Sequence, residues 1–401
     1  MQDISIPIII TICGLLLVAY IFDLTAFKTK IPSVILLLVL GWGTRQGADM
    51  MVSVKIPNLS FLLPILGTLG LILIVLEGSL ELELNKSKLP VLKKSFVVAF
   101  LPMLAISFLT ATGLHYLQGF PFKDSLENII PLCVISSAIA IPTARNLSGG
   151  NKEFITYESS MSDIIGVLFF NFIALNETIS MHSVGHFFVE LLSICVVTFA
   201  ATVGLVFLLN KIDHHIKHIP IVILVILIYA LSKIYHLPAL VFILFFGLFL
   251  SNLDEIKQLE WISKKGMKNL KTEVHRFSEI VTEAAFLIRA LFFILFGYLI
   301  EAKEILDTQT LGFAVGIVVG IFIIRAGVLK LAKLPVLPLL FIAPRGLITI
   351  LLFLAIPASQ SIAAINRSLV IQVIILTALI MMIGLMSHKV KEEEPVAKEA
   401  G

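Results

Sequence analysis

Charge is scarce in this 401-residue chain: Asp, Glu, Lys and Arg make up 14% of it, against 58% apolar residues. Soluble domains carry roughly a quarter charged residues, so a water-facing globular fold is excluded. The mean hydropathy of +1.02 points the same way. Cysteine is rarer still. Cys13, Cys133 and Cys195 are odd in number, far apart and set in apolar runs, which excludes a disulfide framework or a C-x-x-C metal site and leaves them as inert packing residues. No H-E-x-x-H, G-x-S-x-G or G-x-G-D occurs to supply the metal, nucleophile or paired aspartates of an intramembrane enzyme, so neither enzyme activity nor a cofactor is expected. The net charge of +3 is spread over short loops, which argues against a nucleic-acid partner. The opening "MQDISIPIIITICGLLLVAYIFD" has an acid, no base and no A-x-A-like site, so it reads as a retained helix rather than a signal peptide. The tail "HKVKEEEPVAKEAG" reads as a short charged end without a regulatory domain.

What the chain has instead is a succession of apolar runs near the roughly 20 residues that cross a bilayer. They predict an all-α polytopic membrane protein with about thirteen spans: 4–22, 31–48, 60–80, 92–117, 125–148, 153–175, 183–209, 217–234, 237–252, 278–300, 308–330, 336–357 and 366–387. An odd number puts the termini on opposite sides. The loops on the side reached after the first span, with the C-terminal tail, carry 21 Lys and Arg, against 6 in the opposite loops and helix ends. By the positive-inside rule the N-terminus is outside and the C-terminus cytoplasmic, in a cell membrane. The remaining three, Arg289, Arg325 and Arg345, lie inside spans. Between the ninth and tenth spans, Leu253 to Phe277 sets Leu253, Ile256, Leu259, Trp261 and Ile262 among lysines. That pattern suits a helix lying on the inner leaflet, or alternatively a solvated linker.

A repeat is visible. "IPSVILLLVLG" (Ile31 to Gly41) and "LPALVFILFFG" (Leu237 to Gly247) share Pro and Gly nine residues apart, and the next span in each case ends in L-x-G-x-L, at Leu76, Gly78, Leu80 and at Leu295, Gly297, Leu299. An offset of seven spans places the two six-helix units upside down relative to each other, the inverted-repeat plan of secondary transporters. The fifth and twelfth spans then correspond, and both are interrupted: Pro131, Ser136, Ser137 and Pro142 in one, Pro338, Pro344, Gly346 and Thr349 in the other. Proline removes a backbone donor and frees carbonyls, tolerable at membrane depth only where backbone is buried or lines a watery cavity. Paired broken helices therefore point to a midplane site.

Beside them, "FITYESSMSDIIGVLFFN" puts Glu158 and Asp163 in a membrane helix. Glu158 and Ser162 share one face, and Ser159 and Asp163 share another about 100° round. An intramembrane carboxylate needs a partner or a proton. For Glu158 the reading is a structural ion pair with Arg345 in "APRGLITILL", with Arg325 and Arg289 as runners-up; Asp163 is read as an exchange site.

These stretches carry a resemblance. "ESSMSD" is similar to the Glu-x-x-x-Asn-Asp of the cation:proton antiporter superfamily, the sodium/proton exchangers; "PRGLITILL" resembles their Leu-Arg-Gly-Ala-Ile helix, and "KIPSVILLLVLG" and "LIRALFFILFG" match as well. The resemblance covers nearly the whole chain and implies the sodium/proton antiporter fold with crossed discontinuous helices. By that resemblance Asp163 binds cation and proton in turn, and Glu158 with Arg345 is the supporting pair. Two departures stand out: Ser162 replaces the asparagine, and the family's Thr-Asp in the first broken helix is missing. In one register "SSAIAI" supplies Ser136 and Ser137 as ligands; in another Ala140 and Ile141 fall there, leaving backbone carbonyls and Thr143. The implied organisation is a homodimer in membrane lipid: dimerisation helices in 1–88 and 216–304 (with the cytoplasmic insertion 253–277), core helices in 89–178 and 305–388, a linker helix in 179–215 and a cytoplasmic tail from 389 to 401. The implied activity is exchange of sodium, or else lithium or potassium, for protons. Rival readings are a non-transporting membrane sensor or partner subunit, motivated by the missing Thr-Asp, and a sodium-coupled organic-anion symporter, whose crossing would be richer in Asn and Gln.

Overall fold

The computed structural model describes residues 5–29, 31–50, 59–82, 87–144, 147–176, 218–234, 239–252 and 264–387, with part of 185–204. Helices α1 (Ser5–Thr29), α2 (Ser33–Met50), α3 (Leu62–Glu81) and α4 (Leu89–Gln118) lead to a broken pair, α5 (Phe122–Cys133) and α6 (Ser137–Ala144), and then to α7 (Gly149–Leu175). The second half holds α8 (His218–Ile234), α9 (Ala239–Ser251), α10 (Lys264–Leu299), the single turn α11 (Ala302–Ile305), α12 (Thr308–Leu331), a 3-10 turn (Leu339–Phe341), α13 (Leu347–Ala355) and α14 (Arg367–Ser387). Local signals set the ends. Pro90 sits in the first turn of α4, where its missing N–H is not needed, and Gly119 closes that helix in the left-handed region at φ 75°. The Asp307 carboxylate caps α12 by accepting from Gln309 N at 3.0 Å. Among the described residues seven segments are long and apolar enough to cross a membrane, and the chain is a multi-pass membrane protein.

Three expectations are corrected or fall outside the description. Residues 264–277 do not form a separate surface helix; they run without a break into the spanning part of α10, with no Gly or Pro between Gly266 and that part to interrupt them. The rest of that insertion, 253–263, lies outside the described residues, as does much of the expected seventh span, 183–209, including Cys195. Cys133 is buried as expected of a packing residue, but Cys13 is exposed on α1.

The helices gather into two groups. In one, α2 and α3 pack along α10, and α3 along α9; in the other, α4 packs on α5, α7 and α12, α6 on α7, and α12 on α14. The glycines of the two matched segments make comparable close approaches. A Cβ on Gly41 would lie 2.0 Å from Ile294 O in α10, and one on Gly247 would lie 1.9 Å from Ser79 Oγ in α3. Gly41 thus meets the α10 backbone directly and Gly247 makes room for the Ser79 side chain, the close packing by which membrane helices gain contacts that lipid cannot drive.

Candidate functional site

The two interruptions face each other inside the second group. Helix α5 stops at Cys133, and Val134 turns extended (φ −80°, ψ 128°) before α6 begins at Ser137. On the other strand of the crossing, the 3-10 turn ends at Phe341 and α13 starts at Leu347, with Pro344 between them. Pro344 has no N–H, and its free carbonyl accepts from Ser136 N at 2.9 Å, which ties one break to the other. A Cβ on Gly346 would lie 2.7 Å from Ile139 Cδ1 and 2.9 Å from Ser136 Oγ, so a larger residue there would have to displace the side chains at the first break. Freed backbone groups are thus satisfied across the crossing, as the membrane interior demands.

Asp163 points into this crossing from α7 and is 2% exposed. Its Oδ2 accepts from Ser137 N at 3.2 Å and also from Ser137 Oγ. Its Oδ1 has no hydrogen-bond partner among the described residues. Ser162 Oγ accepts from Ile135 N at 2.9 Å and so pins the extended break against α7. Of the two registers considered from the sequence, the structure brings Ser136 and Ser137 to the crossing. Thr143 and Ser159 turn elsewhere: each hydroxyl donates to the carbonyl four residues back in its own helix, Ile139 O and Ile155 O, both at 2.7 Å.

The ion pair differs from expectation. Glu158 is held by Arg325, not Arg345: the guanidinium meets the carboxylate with both terminal nitrogens, Nη2 to Oε2 at 2.9 Å and Nη1 to Oε1. Arg325 also donates from Nε to Leu339 O at 3.1 Å, so the pair anchors the 3-10 turn before the second break. Arg345 takes backbone instead. Its Nε donates to Leu132 O at 2.8 Å and its Nη1 to Ala343 O at 2.8 Å, while its N–H donates to Thr377 Oγ1 at 3.1 Å. The physical reason lies in the breaks. The last carbonyls of α5 have no intrahelical partner and form the negative end of its dipole, so a guanidinium lodged there is satisfied without an acid. Arg289, the other runner-up, lies 3.8 Å from Glu77 across α3 and α10.

A cavity of about 710 Å³ lies between the two groups of helices, lined by Glu81, Lys88, Glu153, Thr156 and Tyr157 among others. Lys88 and Lys152 contribute to its lining, and Thr156 and Tyr157 on its α7 wall are buried. Sequence reasoning missed the carbonyls of Leu132 and Pro344, whose roles no side-chain pattern encodes, and Ser160, one step beyond the cavity. Among the described residues no group of three or more His, Cys, Asp and Glu assembles. The chemistry available at the crossing is that of one carboxylate with hydroxyl and backbone oxygens around it, a donor set for a hard monovalent cation or a proton.

Comparison with solved structures shows the fold to be that of the sodium proton antiporter MjNhaP1 from Methanocaldococcus jannaschii. Its structure at pH 8 matches with a TM-score of 0.66 at 17% identity, covering 94% of this chain and 95% of that one. A structure of MjNhaP1 from an electron-microscopy map matches with a TM-score of 0.64 at 17% identity, covering 96% of both chains. No curated protein sequence gives a significant match. The sequence model of the family described as "Sodium/hydrogen exchanger, transmembrane" matches residues 13–388, and the chain therefore belongs to the sodium/hydrogen exchanger family.

Proposed function

We propose that this protein exchanges sodium for protons across the cell membrane, with Asp163 holding one or the other in turn. The observation that carries the reading is the state of that carboxylate: buried at the crossing, hydrogen-bonded through one oxygen, with nothing on the other. A bare carboxylate at membrane depth costs a few kcal/mol or more. A proton or a dehydrated cation on Oδ1 removes that cost, so the site is stable when loaded with either. In this account α4 to α7 with α12 to α14 form the body that moves, and α1 to α3 with α8 to α10 form the scaffold, which is also the face of a homodimer. The lysine-rich side is cytoplasmic, so the cavity is the inner approach. In proteoliposomes carrying an internal pH dye, an imposed sodium gradient should drive an opposite proton movement; no pH change under that gradient would refute exchange.

Stoichiometry follows from the charges. Glu158 is neutralised by Arg325, and Arg345 keeps a fixed charge held by carbonyls. Asp163 is then the one group at the crossing that changes its load, and its proton-bound and sodium-bound states carry equal charge. Exchange is electroneutral, one proton for one sodium. A potassium/valinomycin diffusion potential imposed on sodium-transporting proteoliposomes should leave the initial rate unchanged for either sign. Were one net charge moved per cycle, the potential would act with about 2.3 kcal/mol per 100 mV and the rate would follow its sign.

A further inference from the structure

Hydroxyls on membrane helices commonly donate to the carbonyl of the preceding turn, and here Thr143, Thr156, Ser159 and Thr377 all do so. Ser160 does not. It is 7% exposed, and its Oγ has no hydrogen-bond partner among the described residues. Across from it stands Gly78 of α3, where a Cβ would lie 3.1 Å from that Oγ. Ser160 belongs to the moving body of the proposed mechanism and Gly78 to the scaffold, so the hydroxyl sits on the seam between them.

Its level on the seam is informative. The cavity is walled by Glu153, Thr156 and Tyr157 on α7 and by Leu80, Glu81 and Leu82 on α3. The next turn on α7 brings Ser160, the next step back along α3 brings Gly78, and three residues further on α7 is Asp163. Residues three apart on a helix are neighbours on one face. Two buried oxygens without hydrogen bonds among the described residues, Ser160 Oγ and Asp163 Oδ1, therefore lie one turn apart on α7, past the residues of that helix that line the cavity. Two such orphans one turn apart need an account, since a buried polar oxygen without a protein partner is costly.

We infer that Ser160 Oγ is a ligand to the transported cation, the oxygen that takes over from water as the ion passes the Ser160–Gly78 seam to Asp163. The inference rests on the exchange reading above and adds a selectivity role to it. A hydroxyl oxygen in a narrow place favours a small, hard, dehydrated ion, and Gly78 keeps the place wide enough for one to pass.

The test uses the full chain in proteoliposomes, with wild type, Ser160→Ala and Asp163→Asn measured in parallel for sodium and lithium. Removing one neutral ligand should raise the apparent KM of Ser160→Ala for sodium about three- to tenfold and change the sodium-to-lithium preference. Asp163→Asn should show no exchange at all. A second variant reads position without relying on rate. In a background with Cys13, Cys133 and Cys195 replaced, Ser160→Cys should react with a methanethiosulfonate reagent added from the cavity side, and sodium should slow that reaction. Wild-type KM and cation preference in Ser160→Ala, or labelling of Ser160→Cys that sodium leaves unaltered, would overturn the inference while wild-type exchange leaves the functional reading intact. Absence of exchange in wild type would instead remove the functional reading itself.

Discussion

Asp163→Asn should abolish sodium-driven proton movement completely while leaving a folded protein. The amide can still accept from Ser137 through its carbonyl oxygen, which keeps the tie between α7 and the first residue of α6. It carries no charge to attract sodium and has no proton to trade. The amino group falls where Oδ1 already lacks a hydrogen bond, so the added cost of folding is that of one poorly placed polar group, about 1–3 kcal/mol. A monodisperse variant with normal helical content and no dye response is the expected pair of observations. Wild-type rates in that variant would mean that another group carries the proton.

The second large effect is on stability, at Glu158 and Arg325. Both side chains are almost wholly buried, and their paired hydrogen bonds join α7 to α12 while Arg325 also holds Leu339 O. Removing one member leaves a charge stranded in low dielectric, a loss of about 3–5 kcal/mol. Glu158→Gln and Arg325→Gln should each destabilise on that scale, and the double variant should lose much less than the sum. Arg345→Gln is the control. It forfeits bonds to two carbonyls but strands no acid, so its cycle with Glu158 should show little coupling. Denaturation of the purified variants in one detergent gives both coupling energies. Additivity between Glu158 and Arg325, or strong coupling between Glu158 and Arg345, would contradict the pairing.

That control marks where the sequence stopped being informative. Pro338, Pro344 and Gly346 announced the second interruption through a missing N–H or a missing Cβ, whereas Pro131 and Pro142 only bracketed the first: both lie inside helices, and the break falls between them at 134–136. Glu158 and Asp163 were visible for a related reason: carboxylates are costly in an apolar helix wherever it lies. Which arginine answers Glu158 was not visible. Arg289, Arg325 and Arg345 are alike in one dimension, and the choice depends on which helix crosses beside α7 and on carbonyls at the end of α5 that compete for Arg345. Ser159 and Ser160 illustrate the same limit within one turn. Both are serines within one turn of Asp163, yet one hydroxyl bonds back to Ile155 O and the other faces Gly78. Sequence spacing gives the face, but the partner depends on the neighbouring helix. At the insertion after α9 the limit is different: Trp261 and the apolar residues that suggested a surface helix lie outside the described residues, and the sequence did not show that 264–277 continue into the spanning helix.

The central claim is that one carboxylate holds either a proton or a sodium ion, never both, and calorimetry tests it without transport. Sodium titrated into the purified protein in buffers of different ionisation enthalpy reports the protons released per ion bound. The account predicts one proton released for each sodium where Asp163 starts protonated, weaker apparent affinity as pH falls, and no release from Asp163→Asn. Sodium binding with no proton release at any pH, or release that persists in Asp163→Asn, would contradict it.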